Sequence, residues 1–275
     1  MLKVFWIITV SKVSVKTGAS VSVPCLYRPQ YRDNVKYLCK WYGWSSCSYA
    51  VKTNTQLSSE YSISDDKNKN IFTVTLKQIN KYADYRCAVE IARAYDDGSD
   101  FRLSVTRGIP SLYVDSQEVT GFIGGNTTIN CRYRTSGRMK WCKLGSTCVT
   151  EGSGSIDGTS VTMNTRAVNV FSVIMTDLRP ESSGWYYCVR GDFQMPVHLT
   201  VAVKPAVGEN ATSTKEDNSS ESNMPRLKKH LVPLFVMTVA VALFIWFKVR
   251  SSKFTQTFRF KMFVNVLLFF KTKLL

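Results

Sequence analysis

The chain has 275 residues and a formal net charge of +16, which is enough length for two modest domains and additional segments. Ten of its 36 basic residues fall in 226–275, a stretch without Asp or Glu, so much of the positive charge lies near the C-terminus. This distribution excludes a nucleic-acid partner from our prediction, because no basic stripe interleaved with aromatic residues runs through the earlier part of the chain. It suits the flank of a membrane span instead.

The first ten residues combine a lysine at position 3 with an apolar run over 4–10. A short basic start before an apolar run is typical of a secretory signal peptide, so we predict a minimal leader over residues 1–10. The alternative is that this run forms the first strand of the domain that follows. The sequence does not define a cleavage position, since no clear small-x-small site precedes Lys12.

The eight cysteines form a four-cysteine cassette that occurs twice. The first copy has Cys25, Cys39, Cys47 and Cys87, and the second has Cys131, Cys142, Cys148 and Cys188. The copies are offset by about a hundred residues, the size of one immunoglobulin sandwich. An even number of cysteines at repeated spacings indicates disulfides and an oxidising compartment. Zinc is disfavoured, because the inner gaps exceed those of a zinc knuckle and both histidines, His198 and His230, lie far from the cassettes.

Alternating polar and apolar residues around both cassettes predict half-buried strands. The run over 71–76 in the first copy matches the run over 170–175 in the second. No long helical pattern precedes position 227. We therefore predict an all-β fold class with two tandem immunoglobulin variable-type (V-type) sandwiches, over residues 11–107 and 108–203.

The second cassette contains two further marks of an immunoglobulin sandwich. Tyr186 lies two residues before the last cysteine, at the position of the tyrosine corner, and Trp141 lies ten residues after the first cysteine, where the core tryptophan packs. Because side chains alternate along a strand, an inward Trp141 turns Cys142 outward, and Cys148 across the next hairpin is its natural partner. The predicted disulfides are Cys25–Cys87, Cys39–Cys47, Cys131–Cys188 and Cys142–Cys148.

Several segments around these cysteines resemble V-set domains of the polymeric immunoglobulin receptor and of the leukocyte mono-immunoglobulin-like receptors. The segments are Lys36–Lys40, Gly124–Tyr133, Met139–Lys143 and Gly184–Cys188. The resemblance covers residues 14–203 approximately, and the inner disulfide is its specific part, since a plain V-set domain lacks it. In that family the ectodomains bind immunoglobulins or membrane lipids, and many members regulate leukocyte signalling. The resemblance implies a family and not a ligand.

The first domain departs from the family pattern in two places. Leu38 occupies the position of the core tryptophan, while Trp41 and Trp44 lie further along and either fill that space from another direction or are exposed. The arginine–aspartate ion pair that clamps the lower end of such domains corresponds here to Glu60 and Lys81. We interpret these two as a charge-swapped pair, with two unrelated surface charges as the alternative.

Ligands of V-type domains contact the loops at one end of the sandwich, here about residues 26–35, 48–56 and 90–99 of the first domain. Tyr and Arg are enriched in interface hot spots, so we interpret these loops as the candidate ligand-binding site. The candidate contacts are Tyr27, Arg28, Tyr31, Arg32, Tyr95, Asp96 and Asp97. We predict no cofactor and no metal, except that Asp96, Asp97 and Asp100 could hold Ca²⁺ with loop carbonyls; the plainer interpretation is a solvated acidic turn.

Residues 204–230 are rich in Ser, Thr, Asn and Glu and contain almost no large apolar residues, so we predict an extended stalk there. Two glycosylation sequons lie in the stalk, at Asn210 and Asn218. A third sequon lies in the second domain, at Asn126. Glycosylation of these sites would require the same secretory route as the disulfides.

Residues 231–247 contain no charged residue and would span roughly 26 Å as a helix, at the short end for a bilayer core of about 30 Å. More basic residues flank this run on its C-terminal side, which favours a cytoplasmic tail over 248–275. We therefore predict a single-pass protein of the plasma membrane with an extracellular N-terminus. The uncharged span lacks the ion-pair handle that recruits adaptor chains, so we expect no adaptor. The tail contains no tyrosine, which excludes tyrosine-based signalling motifs.

These features favour a cell-surface receptor of the immune type that binds an extracellular protein or lipid ligand through its V-type domains. The alternative is a transporter or scavenger of soluble immunoglobulin, similar to the polymeric receptor, although that role needs sorting motifs and none is obvious in the tail. An enzyme is disfavoured, because the sequence contains no nucleophile elbow, phosphate loop or metal-ligand cluster, and two scattered histidines form no triad.

Overall fold

The structure is a computed structural model that describes residues 7–41, 47–55, 58–165 and 167–204. The strands of the first sandwich are β1 (Ile7–Ile8), β2 (Lys12–Lys16), β3 (Val21–Tyr27), β4 (Lys36–Trp41), β5 (Cys47–Lys52), β6 (Tyr61–Asp66), β7 (Ile71–Leu76), β8 (Ala83–Val89) and β9 (Asp97–Thr106). Those of the second are β10 (Leu112–Val114), β11 (Glu118–Phe122), β12 (Thr127–Tyr133), β13 (Met139–Lys143), β14 (Cys148–Val149), β15 (Ser153–Ile156), β16 (Thr159–Asn164), β17 (Val170–Thr176), β18 (Gly184–Arg190) and β19 (Phe193–Ala202). Short 3-10 helices cover Pro29–Tyr31 and Pro180–Ser182.

The first sandwich packs a four-stranded sheet, in the order β1-β3-β7-β6, against a five-stranded sheet, in the order β2-β9-β8-β4-β5. Neighbouring strands are antiparallel except β2 and β9, which are parallel. Pairing of β5 with β4 extends the sheet that contains β8 and β9, as in V-type domains. The Cys25–Cys87 disulfide joins β3 to β8 and therefore ties the two sheets together.

The second sandwich repeats this plan with two five-stranded sheets, β10-β12-β17-β16-β15 and β11-β19-β18-β13-β14. The parallel pair is now β11 with β19. Cys131 on β12 and Cys188 on β18 form the disulfide between its sheets. The predicted all-β fold with tandem immunoglobulin sandwiches is therefore confirmed.

The sandwich cores follow from the period-two pattern of the sequence. On β7, Phe72, Val74 and Leu76 are buried and alternate with partly exposed residues. On β17, Phe171, Val173 and Met175 are buried and alternate with partly exposed residues in the same way. Each strand therefore buries one face between the sheets and leaves the other outside.

The inner disulfides join neighbouring strands of a single sheet rather than two sheets. Cys39 on β4 bonds Cys47 on β5, and Cys142 on β13 bonds Cys148 on β14. Cys39 packs with outward-facing residues of its sheet in a small cluster that is separate from the main core. All four predicted pairings and the outward placement of the inner bridges are confirmed.

The tyrosine corner and the core tryptophan of the second sandwich are both present. Trp141 is fully buried and stacks on Tyr186 with ring centroids 5.2 Å apart. The Tyr186 hydroxyl donates a hydrogen bond of 2.8 Å to the carbonyl of Ser182. In the first sandwich Leu38 is fully buried beside Cys87 in the strand register, so it does occupy the core tryptophan position.

Two of the predictions concern the N-terminal segment and the charged pair of the first sandwich. Ile7 and Ile8 pair with β3 and Val10 is buried, which agrees with the alternative of a first strand, while the leader over residues 1–10 stays a prediction. Glu60 and Lys81 form no ion pair with each other among the described residues, so the charge-swapped pair is wrong.

Trp41 faces outward, not into the core. The Arg86 guanidinium lies 4.2 Å from the centre of its ring. This outward position follows from the strand alternation, because Leu38 takes the inward place on β4. Trp44 lies outside the described residues.

Within residues 7–204, apart from the gaps given above, no helix is long and apolar enough to cross a membrane. The predicted span over 231–247 and the tail over 248–275 lie outside the described residues, as does the stalk beyond Lys204 with Asn210 and Asn218. These three segments remain predictions. Asn126 is exposed, in the turn before β12.

The two sandwiches lie in one compact unit and contact each other directly. Gln117 of the second sandwich accepts a hydrogen bond from the Ser22 amide and donates one to the Ser22 carbonyl, both at 2.9 Å. The Gln194 side chain accepts a bond of 2.8 Å from the Ser11 amide. β1 pairs only with the end of β3, so Gln117 satisfies backbone groups on an otherwise open part of that strand edge.

Candidate ligand-binding surface

Two residues near the loop end of the first sandwich, one charged and one aromatic, lie in its interior because side chains alternate along the strands. Tyr27 follows Cys25 by two residues on β3, and Lys36 precedes Leu38 by two on β4, so both side chains point between the sheets. Both are buried. Tyr27 is therefore not a surface contact, which corrects the sequence prediction.

Lys36 is held in a polar network beneath the loops. Its ammonium group lies 3.1 Å from the Asp65 carboxylate, donates a bond of 2.6 Å to the Arg32 carbonyl, and lies 4.3 Å from the centre of the Tyr27 ring. The Tyr27 hydroxyl donates to the same carboxylate at 2.8 Å. Burial lowers the pKa of Lys36 from its ordinary value. Because Lys36 lies two residues before the buried Leu38 on β4, strand alternation could have predicted its inward position from the sequence.

Two further tyrosines fix the loop between β8 and β9. Tyr31, at the end of the first 3-10 helix, is buried and its hydroxyl donates to the Asp97 carboxylate. Tyr37 points outward from β4 and its hydroxyl donates to Asp96 at 2.8 Å. Burial, followed by these hydrogen bonds to carboxylates, raises the pKa of both tyrosines. Tyr31 therefore positions the loop from inside, which again corrects its assignment as a ligand contact.

Hydrogen bonds to backbone groups also hold these loops in place. The Asn34 side chain donates a bond of 2.8 Å to the Glu90 carbonyl, and the Glu90 amide donates to the Val35 carbonyl at 2.9 Å. The Asp96 carboxylate also accepts from the Ile91 amide at 2.9 Å. The loop after β3 and the loop after β8 are therefore tied to each other. We call these loops, residues 28–35 and 90–97, the distal surface.

The distal surface presents side chains of both charges and one large aromatic ring. Tyr95 is 96% exposed, and Arg32, Asp33 and Arg93 on the same two loops are exposed as well. Arg28 is partly exposed. Of the predicted contacts, Arg28, Arg32, Tyr95 and Asp96 therefore reach the surface. Exposed Arg93 was missed, although it lies in the same loop.

The outward side of the sheet next to these loops is lined by paired charges and aromatic rings. Tyr49 is exposed and packs edge-on against Tyr37 with centroids 5.0 Å apart. Lys52 forms an ion pair with Glu90 and lies over the Tyr49 ring. The hydrogen bond to Glu90 raises the pKa of Lys52. This sheet face continues the distal surface toward the Cys39–Cys47 disulfide.

The calcium alternative fails on the geometry of β9. Asp97 and Asp100 are three residues apart on the strand and so point to opposite sides of the sheet. Asp100 forms two bonds with the Arg86 guanidinium, at 2.6 and 3.0 Å, while Asp96 and Asp97 accept from tyrosines. Among the described residues no group of three His, Cys, Asp or Glu side chains is placed to hold a metal ion.

Part of the corresponding sheet face of the second sandwich lies near the first sandwich. Trp185 and Val189 face outward from β18, opposite in parity to Tyr186 and Cys188, and yet both are buried. Trp185, His198 and Glu118 line one cavity with outward residues of β3, β6 and β7 of the first sandwich. Trp185 and His198 of the second sandwich therefore lie near the first sandwich, while Trp41 and Asp100 of the first line another cavity with Gln194 of the second.

The comparisons with known proteins agree with this architecture. No family model matches the chain. The chain is 25% identical over 228 residues to the polymeric immunoglobulin receptor of Mus musculus, in an alignment that covers 78% of this chain and 29% of that receptor. It is 38% identical over 72 residues to CMRF35-like molecule 3 of Mus musculus, covering 25% of this chain and 29% of that protein. The chain is a relative of the polymeric immunoglobulin receptor and of the CMRF35-like molecules.

This finding confirms the family resemblance seen in the sequence. The chain spans less than a third of the length of these polymeric immunoglobulin receptors. Among solved structures, the ectodomain of the teleost fish polymeric immunoglobulin receptor is 26% identical, with a TM-score of 0.35, and covers 72% of this chain and 99% of that one.

Proposed function

We propose that the chain is a cell-surface receptor of the immunoglobulin superfamily that binds an extracellular ligand through the distal surface of its first sandwich. The observation that carries this proposal is the construction of the distal surface. It presents Arg32, Arg93 and Tyr95 on loops that are held in place by hydrogen bonds from Tyr31 and Tyr37. Prepositioned Tyr and Arg side chains are the residue types that dominate binding energy in protein interfaces.

The chemistry of the distal surface favours a protein ligand. Its exposed residues include Arg32, Asp33, Arg93 and Asp96, so it presents both charge signs together with the exposed Tyr95. A mixed surface of this kind matches the polar rim and aromatic centre of protein interfaces. A membrane lipid is the second candidate that belongs in a binding screen, because the family resemblance implies it.

The remaining parts of the proposal rest on the sequence. We place the protein at the plasma membrane, with the sandwiches outside, a single span over 231–247, and no adaptor chain. We propose no enzymatic activity. A role in leukocyte regulation is part of the proposal, while transport of soluble immunoglobulin is the alternative, which the relationship to the polymeric receptor supports.

The test is a binding screen with the full chain displayed on cells. The probes are purified polymeric immunoglobulin, leukocyte membranes and vesicles of anionic phospholipid. Tyr95→Ala and Arg93→Ala are expected to reduce binding of the active probe by about fivefold or more each, the effect of losing an interface hot spot. Val168→Ser, at an exposed apolar position of the second sandwich, is the matched control and is expected to bind normally. Normal binding by both loop variants would place the site elsewhere.

A further inference from the structure

Two adjoining cavities open at the end of the first sandwich that lies away from the distal surface. Their volumes are about 590 Å³ and about 270 Å³, and the described residues that line them all belong to the first sandwich. Lys40, Asn80 and Lys81 line both cavities, which we call together the basal groove. The seven residues of β8 run from this groove to the loop over 90–97, a rise of roughly 20 Å. The groove is therefore separate from the distal surface.

The basal groove has an excess of positive charge. Its basic residues are Lys40, Lys77, Lys81 and Arg107, and its acidic residues are Glu60 and Asp84. The Asp84 carboxylate already accepts two bonds from the Arg102 guanidinium, at 2.8 and 3.1 Å. Among the residues that the structure describes, Lys77, Lys81 and Arg107 form no ion pair, and all three are exposed. These three cations are therefore available to an anion from outside the chain.

The turn over residues 17–19 holds the backbone next to two of these cations. It accepts a bond of 2.9 Å from the Ile79 amide and donates one of 2.7 Å to the Ile79 carbonyl, and Ile79 itself is buried. The same turn donates a bond of 2.8 Å to the Thr106 carbonyl. Ile79 lies two residues before Lys81, and Thr106 directly precedes Arg107. The fold therefore brings these cations to one groove from separate segments, and no basic run marks the groove in the sequence.

An aromatic ring also lines the basal groove. Tyr82 is 79% exposed and lines the larger cavity together with Asn80 and Lys81. The face of an aromatic ring carries partial negative charge, which complements the partially positive C–H hydrogens of a sugar ring. The Asn80 side chain offers both a donor and an acceptor, as sugar hydroxyls require. These side chains beside free cations suit an anionic sugar better than a bare inorganic anion.

We propose that the basal groove binds a sulfated polysaccharide, with Lys81 and Arg107 on its sulfate groups and the Tyr82 ring against one of its sugars. Basic side chains form charge-assisted hydrogen bonds with oxyanions of this kind. A narrow chain can lie along two adjoining cavities, whereas the flat surface of a bilayer does not reach a concave lining. Four disulfides indicate an oxidising compartment, where a nucleic acid is the less suitable polyanion. The proposal does not depend on the ligand of the distal surface.

The test measures binding of heparin to the full chain displayed on cells that make no sulfated glycans, with an antibody to normalise the amount displayed. Heparin is expected to bind the wild type and to bind less as salt screens the charges. The Lys81→Ser, Arg107→Ser double variant is expected to bind about tenfold more weakly, the effect of losing charge-assisted contacts. Arg134→Ser, Arg138→Ser removes two exposed cations of the second sandwich and is the matched control. No binding by the wild type, or equal losses in both double variants, would overturn the proposal.

Further comparisons identify the chemistry of the ligand. Tyr82→Ser is expected to weaken heparin binding about threefold without changing its salt dependence, because it removes a ring and no charge. Unchanged affinity in Tyr82→Ser would reduce the groove to a charged surface and overturn the proposal. Hyaluronan, which has carboxylates but no sulfates, is expected to bind much more weakly, and equal binding would contradict the sulfate assignment.

Two controls separate this proposal from its alternatives. Vesicles of anionic phospholipid are expected not to compete with heparin. If they bind more tightly than heparin, and the Lys81→Ser, Arg107→Ser variant loses that binding, the groove has another occupant and the proposal is wrong. Tyr95→Ala should bind heparin normally, so failure of the site on the distal surface and failure of this one are seen separately.

Discussion

Lys36 and Asp65 form an ion pair inside the first sandwich, with 3.1 Å between the ammonium nitrogen and a carboxylate oxygen. The Lys36 side chain has no exposed surface, and the Asp65 side chain has little. The pair lies beneath the loop that carries Arg32, whose carbonyl also accepts a bond from Lys36. Because Lys36 bonds both Asp65 and the Arg32 carbonyl, the buried pair connects this loop to the core.

Replacement of Asp65 is therefore expected to be costly. Asp65→Asn leaves the buried ammonium group without a counter-charge, and loss of one partner from a buried pair costs roughly 3 kcal/mol in unfolding free energy. Asp66→Asn is the matched control, because Asp66 is exposed and pairs with Lys69 at 3.5 Å on the surface, where such a pair is worth at most about 1 kcal/mol. Chemical denaturation of both variants measures the difference. Equal losses would contradict the role assigned to Lys36.

The tyrosine corner gives a second prediction. Tyr186→Phe removes the bond from the hydroxyl to the Ser182 carbonyl and is expected to lower the free energy of unfolding by about 1 kcal/mol. Tyr187 is its neighbour on β18 and no hydrogen bond of its hydroxyl is found among the described residues, so Tyr187→Phe is expected to be close to neutral. Denaturation curves followed by tryptophan fluorescence test this pair. A larger loss in the Tyr187 variant would count against the corner as a stabilising device.

The sequence predicted the scaffold better than the surface. The disulfide pairs, the core position of Trp141 and the tyrosine corner all follow from fixed spacing and strand alternation, which are local properties. The same alternation would also have placed Tyr27 inside, since it lies two residues after Cys25, but its position near a loop suggested a surface role. Alternation along a strand decided burial more reliably than residue type did.

The relation between the sandwiches could not be predicted from either one alone. Trp185 has the parity of an outward, solvent-facing residue, yet it is buried and lines a cavity with residues of the first sandwich. The acidic run at Asp96 and Asp97 likewise gave no sign that each carboxylate accepts a bond from a distant tyrosine. Contacts between residues far apart in the chain decided both outcomes.

Stability at high pH should depend on Tyr27 and Tyr37, two of the tyrosines that donate to carboxylates. Burial and the bonds to Asp65 and Asp96 raise the pKa of Tyr27 and Tyr37 in the folded state, whereas an unfolded tyrosine titrates at about 10. Above that pH the unfolded chain releases these protons first, so the stability contributed by the two hydroxyls is complete below about pH 10 and declines as pH rises further.

The measurement compares denaturation midpoints from pH 8 to pH 11 in the wild type and in the Tyr27→Phe, Tyr37→Phe double variant. The double variant is expected to be less stable at pH 8 and to lose less stability on going to pH 11. Lys36 and Tyr31 are present in both proteins, so the difference in slope reports the two hydroxyls. Parallel curves would show that these groups ionise alike in the folded and unfolded chains.

The two kinds of disulfide should differ in their contribution to stability. The inner bridge between Cys39 and Cys47 closes a loop with a sequence separation of 8, and the outer bridge between Cys25 and Cys87 one of 62. In the chain-entropy model their removal costs about 2.5 and about 4 kcal/mol respectively. Double alanine variants of each pair, compared by chemical denaturation, test this order. A larger loss from the inner pair would mean that its packing beside Tyr37 and Ala88 outweighs loop closure.

The contact between the sandwiches depends on Gln117. Its side chain makes hydrogen bonds to both backbone groups of Ser22 and a third, of 3.0 Å, to the Pro196 carbonyl. Gln117→Met keeps a similar volume and removes all three bonds, each worth about 1 kcal/mol. The backbone of Ser22 then loses its partner on the open edge of β3, so the sandwiches should separate more readily.

Two readouts check this expectation on the full chain. Hydrogen exchange of the Ser22 amide is expected to accelerate, and small-angle scattering is expected to show a larger radius of gyration. Asn54→Ala, in an exposed turn of the first sandwich, is the control and should change neither. If the Gln117 variant keeps the wild-type radius while exchange at Ser22 rises, the bonds protect the strand edge only, and other contacts hold the sandwiches together.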